Sequence, residues 1–310
     1  MSFVLDAFQI FLQNISLPDS QIAAAQRSHN ALRTYLESDD YFGDLILETF
    51  LNGSYARRTT VQPIRDVDII AVVERQWMEG DPARAMESLR RKLAQRYTEW
   101  RTRRHRRAVR VSLSDICLDV VMATAPDGIH RAFRIPDREL RSWIKTHPRR
   151  QLDLVNDLAA PTKGNYARLV RLLKAWASAK VAQAARPRSF VLECAVYHII
   201  ASYPTDFAGP LDDAFTLLVD HLIAWDFGRR SRFTWVPVVE DPALPEVNVA
   251  ERWSDGAADG VRDKLQLTLR RIDAIARSRW DDTAVRHWGE VFGVPFPAPS
   301  TVSRRIRQDV

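Results

Sequence analysis

Two aspartates one residue apart, Asp66 and Asp68, introduce a run of strand-forming residues in the segment DVDIIAVV. Residues at i and i+2 of a strand point to the same face of a sheet, so we expect the two carboxylates to lie side by side. Like charges in such a pair repel each other unless solvent or a divalent cation lies between them. Mg²⁺ prefers oxygen ligands and often takes one or two carboxylates together with substrate phosphates. An isolated Asp-x-Asp is common on surfaces, so this pair needs support from other residues.

A turn and a third carboxylate give that support. Gly53 and Ser54 follow a strand-like segment, and the next residues can start a short helix whose free N–H groups would face an anion. Asp119 stands within the apolar run ICLDVVM, where a carboxylate is unfavourable unless it is paired or binds a metal. A salt bridge to one of the many arginines is the structural alternative for Asp119. Together, three carboxylates on two strands beside a phosphate-binding turn predict two-metal phosphoryl transfer.

Apolar periodicity predicts the elements that position these residues. Strands are predicted over residues 45–52, 68–73, 109–113 and 116–123, and helices over 83–101, 189–201, 214–225 and 260–280. From about Pro136 the pattern becomes helical, and three prolines between 237 and 245 predict a long irregular loop. The order of strands followed by helices predicts an α+β chain. Its predicted parts are an N-terminal helical brace over 1–40, a catalytic core over 41–150, a helical domain over 151–295 and a mobile tail over 296–310.

Composition narrows the class of protein. The chain has 310 residues, 46% of them hydrophobic, with a net charge of +6 and a pI near 9.5, so anionic partners are expected. Cys117 and Cys194 are too few for a disulfide scaffold or a zinc site, and both are expected to be small buried residues. The seven histidines show no metal-ligand spacing. No apolar run is long enough to span a membrane and no signal peptide is evident, so a cytoplasmic protein is predicted.

The whole pattern resembles the polymerase-β-like nucleotidyltransferases. The segment GSYARRTTVQPIRDVDII is most similar to the bacterial cGAS/DncV-like nucleotidyltransferases (CD-NTases), which resemble oligoadenylate synthase and cyclic GMP–AMP synthase. LDVVMATA, FRIPDRELRSWIKTHP, LVRLLKAW, PRSFVLE and DPALPEVNVAERW resemble further segments of that family in the same order. RHWGEVFGVPFPAP resembles the clades C and D, which are encoded beside HORMA-domain proteins. The resemblance implies a core with a mixed or antiparallel sheet and flanking helices, joined to an oligoadenylate-synthase-like helical domain in a bilobed molecule.

The resemblance also implies roles for individual residues. Two Mg²⁺ ions, or Mn²⁺ as a substitute, would be held by Asp66, Asp68 and Asp119. The donor nucleotide would be bound by Asn52, Gly53, Ser54, Lys174, Ser189 and, through base stacking, Phe190. Asn52 stands where relatives often have Gln, and Arg58 stands where many have Gly. On a helical wheel Lys174 falls at the edge of the apolar stripe, where its stem can pack while its charge reaches into a cleft.

The implied activity is the joining of nucleoside triphosphates, ATP foremost, into a cyclic di- or trinucleotide second messenger with release of pyrophosphate. The clade implies an adenine-only trinucleotide, an antiphage (CBASS) role, a HORMA-domain activator and a separate effector such as a nuclease. Base identity, linkage and ring size are not fixed by the sequence. Two alternatives remain open: a template-independent RNA nucleotidyltransferase of the CCA-adding type, and a nucleotide-binding regulator without catalysis. The basic run from Arg101 to Arg107 is predicted to be a solvated or partner-facing loop rather than a DNA-binding site.

Overall fold

The computed structural model describes residues 3–38, 45–74, 80–228, 236–276 and 280–308. The chain divides into two compact units, which we call the sheet unit (Leu17–Asp153) and the helical unit (Met1–Ser16 with Leu154–Val310). The predicted brace over residues 1–40 is therefore split, because α1 (Phe3–Ile15) belongs to the helical unit and α2 (Asp19–Glu37) to the sheet unit. The division falls within α5 (Pro148–Asp157).

The sheet unit is built on a mixed seven-stranded sheet. Its strands are β1 (Ile46–Asn52), β2 (Asp66–Val73), β3 (Thr102–Arg104), β4 (Val109–Ser112), β5 (Cys117–Thr124), β6 (Phe133–Asp137) and β7 (Ser142–Thr146). The order is β1-β2-β5-β4-β3, with β6 paired to β5 and β7 to β6. β2 and β5 are parallel, and the other pairs are antiparallel. The four predicted strands are confirmed. The prediction that helices begin near Pro136 is wrong, since Pro136 lies in the β6–β7 hairpin.

The two faces of this sheet differ in what covers them. One face packs Val67 and Ile69 of β2 and Leu118 of β5 against apolar residues of α2 and of α4 (Pro82–Tyr97). The opposite face carries the alternate residues, which are apolar from Ile70 and Val121 onward and form a second cluster. The aspartates share that second face at the starting ends of the strands. The helix predicted over 83–101 ends earlier, at Tyr97, and a 3-10 turn follows it over Glu99–Arg101.

The helical unit is packed around a cluster of aromatic side chains, and α1 supplies some of them. Its other helices are α6 (Asn165–Lys180), α7 (Ser189–Ser202), α8 (Leu211–Trp225), α9 (Asp255–Ala276), α10 (Asp281–Phe292) and α11 (Pro299–Gln308). Phe8 of α1 meets the Trp288 ring edge-on at 4.8 Å, and Phe11 lies 4.8 Å from Phe292. Such pairs add to the free energy gained from burying the rings. Within the described ranges, no helix has the length and apolar character needed to cross a membrane.

Several predictions for the helical unit need correction. The irregular loop expected between prolines 237 and 245 contains a short hairpin of β8 (Glu240–Asp241) and β9 (Leu244–Asn248). The tail predicted over 296–310 includes the helix α11, and its mobility stays a prediction. α9 starts before the predicted residue 260, and residues 277–279 of that prediction lie outside the described residues. Cys194 is buried as predicted, whereas Cys117 is only half-buried.

In the second half of the basic run, two arginines form hydrogen bonds to a buried residue of the fold and do not belong to a solvated loop. Arg106 and Arg107 donate from Nε to the two oxygens of Asp137, at 3.0 and 2.9 Å. Asp137 is fully buried and also accepts hydrogen bonds from the backbone N–H groups of Glu139 and Leu140. The arginines therefore hold the β6–β7 hairpin to the segment between β3 and β4. The prediction of a solvated or partner-facing loop is therefore wrong at Arg106 and Arg107.

The buried Asp137 carboxylate predicts a specific acid dependence of stability. Burial acts to raise its pKa, but the hydrogen bonds from Arg106 and Arg107 outweigh burial and hold the pKa well below its usual range. Because an unfolded Asp titrates near pH ~3.9, the resulting stability is fully present above that pH and is lost as the pH falls further. We expect Asp137→Asn to lower the free energy of unfolding by about 1–3 kcal/mol at neutral pH.

The difference between wild type and Asp137→Asn should shrink below about pH 4. Urea denaturation of both proteins across this range measures it, with the exposed Asp127→Asn as the control. A difference that stays constant down to about pH 3 would contradict the assignment.

Candidate active site

Four polar residues lie in one row across four neighbouring strands. The register pairs Asn52 of β1 with Asp68 of β2, Asp68 with Asp119 of β5, and Asp119 with Arg110 of β4. Residues directly opposite each other on neighbouring strands have their side chains on the same face of the sheet. Asp66, two residues before Asp68, shares that face. The structure thus brings the three predicted carboxylates together on two adjacent strands.

At Asp66 and Asp68, nearby arginines only partly offset the effects of burial and of the neighbouring carboxylates. Burial, together with the charge of Asp119, raises the pKa of Asp66 above its ordinary value, although Arg110 opposes the shift. Burial and then the charges of Asp66 and Asp119 raise the pKa of Asp68 to about 7. Because burial is the main cause and the charges of Asp66 and Asp119 add to it, an added positive charge beside Asp68 would make its ionised form less unfavourable. The arrangement favours the binding of a further cation.

Arg110 contacts two of these carboxylates, Asp119 and Asp66. Its Nε and Nη2 atoms donate to both oxygens of Asp119, at 2.7 and 2.6 Å, and Nη2 also donates to Oδ2 of Asp66 at 3.0 Å. The salt bridge that was the structural alternative for Asp119 is therefore present. Sequence analysis did not single out Arg110. The pairing could have been predicted from the turn residues Ser114 and Asp115, because a hairpin closed there places residue 110 opposite residue 119.

The Gly53-Ser54 turn lies directly against Asp68. Gly53 begins the short helix α3 (Gly53–Ala56), which confirms the predicted helical turn. Its φ is +70°, and a Cβ built at this position would lie 1.8 Å from Oδ2 of Asp68. Only glycine fits both the backbone conformation and the space. The Ser54 hydroxyl lies 3.0 Å from the hydroxyl of Thr60, so two hydroxyl groups meet at the turn.

Two residues that flank this turn, Asn52 and Arg58, were expected to differ from the family pattern, and the structure gives their local geometry. Asn52 caps α3 without a side-chain hydrogen bond to the helix, and its Oδ1 accepts a long hydrogen bond of 3.5 Å from Nη1 of Arg57. The charge of Arg57 also acts to lower the pKa of Asp68. Arg58 has a φ of +58°, in the left-handed region that glycine adopts most readily.

The predicted phosphate contacts of the helical unit form a separate group. Lys174 of α6 is buried, and its Nζ lies 2.8 Å from Oε1 of Glu193 on α7. Ser189 is the exposed first residue of α7, and Glu193 follows it four residues later on the same side of the helix, ~6 Å away along the axis. Sequence analysis expected the stem of Lys174 to pack but missed its partner Glu193. Phe190, the predicted stacking residue, is half-buried beside Ser189.

A family model and a curated relative match this chain. The model, described as the Second Messenger Oligonucleotide or Dinucleotide Synthetase (SMODS) domain, matches residues 1–158. That range includes the three carboxylates and the Gly53-Ser54 turn. The relative is the cyclic AMP-AMP-AMP synthase of Acinetobacter sp. (strain ATCC 27244 / 9458), 28% identical over 303 residues, which cover 94% of this chain and 84% of the relative.

Solved structures with the same fold include two of the protein CdnC from Escherichia coli MS115-1. The structure with ATP has a TM-score of 0.79 at 19% identity and covers 96% of this chain and 99% of CdnC. The structure of a CdnC:HORMA complex has a TM-score of 0.76 at 19% identity and covers 92% of this chain and 95% of that chain. The predicted fold class, a polymerase-β-like core with helices, is confirmed by these similarities.

Proposed function

The chain belongs to the Second Messenger Oligonucleotide or Dinucleotide Synthetase (SMODS) family and is a nucleotidyltransferase of the CD-NTase type, and on this premise we propose that it joins ATP into a cyclic adenine trinucleotide. In each step a ribose hydroxyl of one nucleotide attacks the α-phosphorus of another, the hydroxyl proton is lost, and pyrophosphate leaves. The observation that carries the proposal is the row of carboxylates on β2 and β5 with Gly53 packed against Asp68. The adenine product is proposed because the relative from Acinetobacter is named a cyclic AMP-AMP-AMP synthase.

The carboxylates fit divalent cations by donor type and charge. Carboxylate oxygens are the ligands that Mg²⁺ prefers, and an added cation would offset the burial and the neighbouring carboxylates that raise the pKa of Asp68 to about 7. As the side chains lie, however, no three His, Cys, Asp or Glu residues in the described ranges are arranged to hold a metal. We propose that Asp66, Asp68 and Asp119 hold two Mg²⁺ ions. When bound, the ions would polarise the α-phosphate and lower the pKa of the attacking hydroxyl.

The other predicted residues act on the nucleotide itself. Gly53 lets the triphosphate approach the backbone N–H groups at the start of α3, and the Ser54 hydroxyl donates to it. Asn52 adds a polar contact beside this turn. Lys174 and Ser189 offset the negative charge that develops on the leaving pyrophosphate, and Phe190 stacks on the donor base. The Lys174–Glu193 pair holds the lysine beside α7, the helix that begins at Ser189.

The role of Lys174 can be separated from its structural pairing with Glu193. The double variant Lys174→Met/Glu193→Gln removes both buried charges, so we expect it to fold and to bind ATP about 10- to 100-fold more weakly, the loss of one charge-assisted contact. Glu193→Gln alone keeps the lysine charge and should retain ATP affinity. Calorimetric titration with ATP measures both variants, and Lys180→Met, on the same helix, is the control. Equal affinities of the double variant and wild type would exclude Lys174 as a phosphate contact.

The proposed activity is tested by incubating the purified chain with ATP and Mg²⁺, with and without a HORMA-domain protein. A phosphatase-resistant product with the mass of a cyclic adenine trinucleotide supports the synthase. Nucleotide addition to an added RNA, without a cyclic product, would indicate the CCA-adding alternative. ATP binding without turnover in both conditions would indicate the regulator. The CdnC:HORMA complex supports a HORMA-domain activator, and we further propose that the product activates a separate effector such as a nuclease.

A further inference from the structure

Arg110 forms a bidentate hydrogen-bonded contact with Asp119 and a further hydrogen bond to Asp66, both of which are proposed to bind metal. Its guanidinium group bonds both oxygens of Asp119, at 2.7 and 2.6 Å, and one oxygen of Asp66 at 3.0 Å. The arginine side chain is 26% exposed and that of Asp119 is 12% exposed, so solvent screens this pair weakly. A planar guanidinium that meets a carboxylate through two parallel N–H groups is the strongest geometry for such a pair.

The sheet fixes this contact in place. Arg110 faces Asp119 because β4 and β5 are joined by a tight hairpin, in which Leu113 N–H bonds to the Ile116 carbonyl. Neighbouring residues Val109 and Val111 are fully buried on the other face, so β4 cannot shift by one residue without exposing them. The arginine is thus positioned on the carboxylates by the fold and not by chance surface contact.

The same hydrogen bonds conflict with metal binding. A divalent ion that binds Asp119 must approach the oxygens that Arg110 contacts, and at so short a distance the positive charges of the ion and the guanidinium repel each other. Binding of the ion and binding of the guanidinium are therefore competing events at the same oxygens.

We propose that Arg110 is a positioning residue that competes with divalent cations for Asp119 and Asp66 and thereby sets the cation concentration at which the site is loaded. This inference rests on the proposed function, because it takes these carboxylates as metal ligands. Arg110 keeps Asp119 and Asp66 oriented toward one another, and an entering ion displaces the guanidinium from both. Loading then requires a higher cation concentration than the three carboxylates alone would need.

The test is Mn²⁺ binding without nucleotide, measured by electron paramagnetic resonance. Arg110→Gln is expected to bind Mn²⁺ about tenfold more tightly than wild type, a typical coupling between two competing ligands. Arg110→Lys, which keeps the charge but loses the fork, should fall between them. Arg103→Gln on the exposed part of β3 is the control and should match wild type. Unchanged or weaker Mn²⁺ binding by Arg110→Gln would overturn the inference.

A second measurement uses the wild-type protein, so it does not depend on a variant that folds. Adding Mg²⁺ should shift the ¹⁵N–¹H signal of Arg110 Nε as its hydrogen bond to Asp119 breaks, and an unmoved signal at saturating Mg²⁺ would contradict displacement. The Asp66→Asn/Asp68→Asn variant separates the two possible failures. If that variant binds Mn²⁺ like wild type, the proposed metal site itself is wrong. If it loses Mn²⁺ while Arg110→Gln is unchanged, only the role of Arg110 is wrong.

Discussion

The double substitution Asp66→Asn/Asp68→Asn is expected to reduce product formation by at least about a thousandfold, since it removes several kcal/mol of transition-state stabilisation. Both side chains lie at the start of β2 on the face opposite the main core, and asparagine has nearly the same shape as aspartate, so the substitutions remove little packing. The pKa of each carboxyl is raised in the folded chain, so the stability they contribute is present below about pH 4 and is lost as the pH rises through the folded pKa. In a chelator near pH ~8, the variant should therefore unfold at the same temperature as wild type or at a higher one.

The matched control is Asp115→Asn/Asp127→Asn, which makes the same change of net charge at exposed residues of the same unit. This control should form product at the wild-type rate. Product mass and rate with ATP and Mg²⁺ measure both proteins, and thermal unfolding with chelator measures their stability. Normal product formation by Asp66→Asn/Asp68→Asn would refute the assignment of the catalytic carboxylates.

Gly53→Ala is expected to remove most of the activity and to lower the free energy of unfolding by at least about 2 kcal/mol. The added methyl group would lie 1.8 Å from Oδ2 of Asp68, so either the turn or the carboxylate must move. The backbone at φ +70° adds conformational strain to that clash. Movement at this point separates the turn proposed to bind phosphate from the aspartate proposed to bind metal, which is why a single methyl group has a large predicted effect.

Gly128→Ala is the control that separates the effect of backbone strain from the effect of the steric clash. Gly128 has a φ of +99°, and a Cβ there has nothing within 4 Å, so this variant suffers at least as much backbone strain without steric overlap. We expect Gly128→Ala to lose about 1–2 kcal/mol of stability and to keep its activity. Chemical denaturation and the ATP assay measure both variants. If Gly53→Ala kept full activity, or if both variants lost it equally, the close approach of the turn to Asp68 would not matter for catalysis.

Local patterns predicted the strands and the turn because they depend on neighbours in sequence. Alternation of Val109, Arg110 and Val111 reflects which side chains are buried, and the i, i+2 spacing of Asp66 and Asp68 fixes their common face. The β6–β7 hairpin escaped prediction because β7 is half-exposed and lacks clear alternation. Short hairpins of this kind acquire their structure from the sheet that they extend, here through the single pairing of β6 with β5.

The sequence by itself determined that three carboxylates and a glycine turn would lie on neighbouring elements, for which phosphate chemistry stays a prediction, and that Asp119 would need a positive partner. Only the tertiary structure decided which partners these groups meet: Arg110 for Asp119 and Asp66, Glu193 for Lys174, and two arginines for Asp137. The physical reason lies in the parallel pairing of β2 with β5. Parallel strands are joined by a long crossover, so no local spacing encodes the register that sets Asp68 beside Asp119. That register follows from burying one face of each strand against α2 and α4, which is a property of the whole unit.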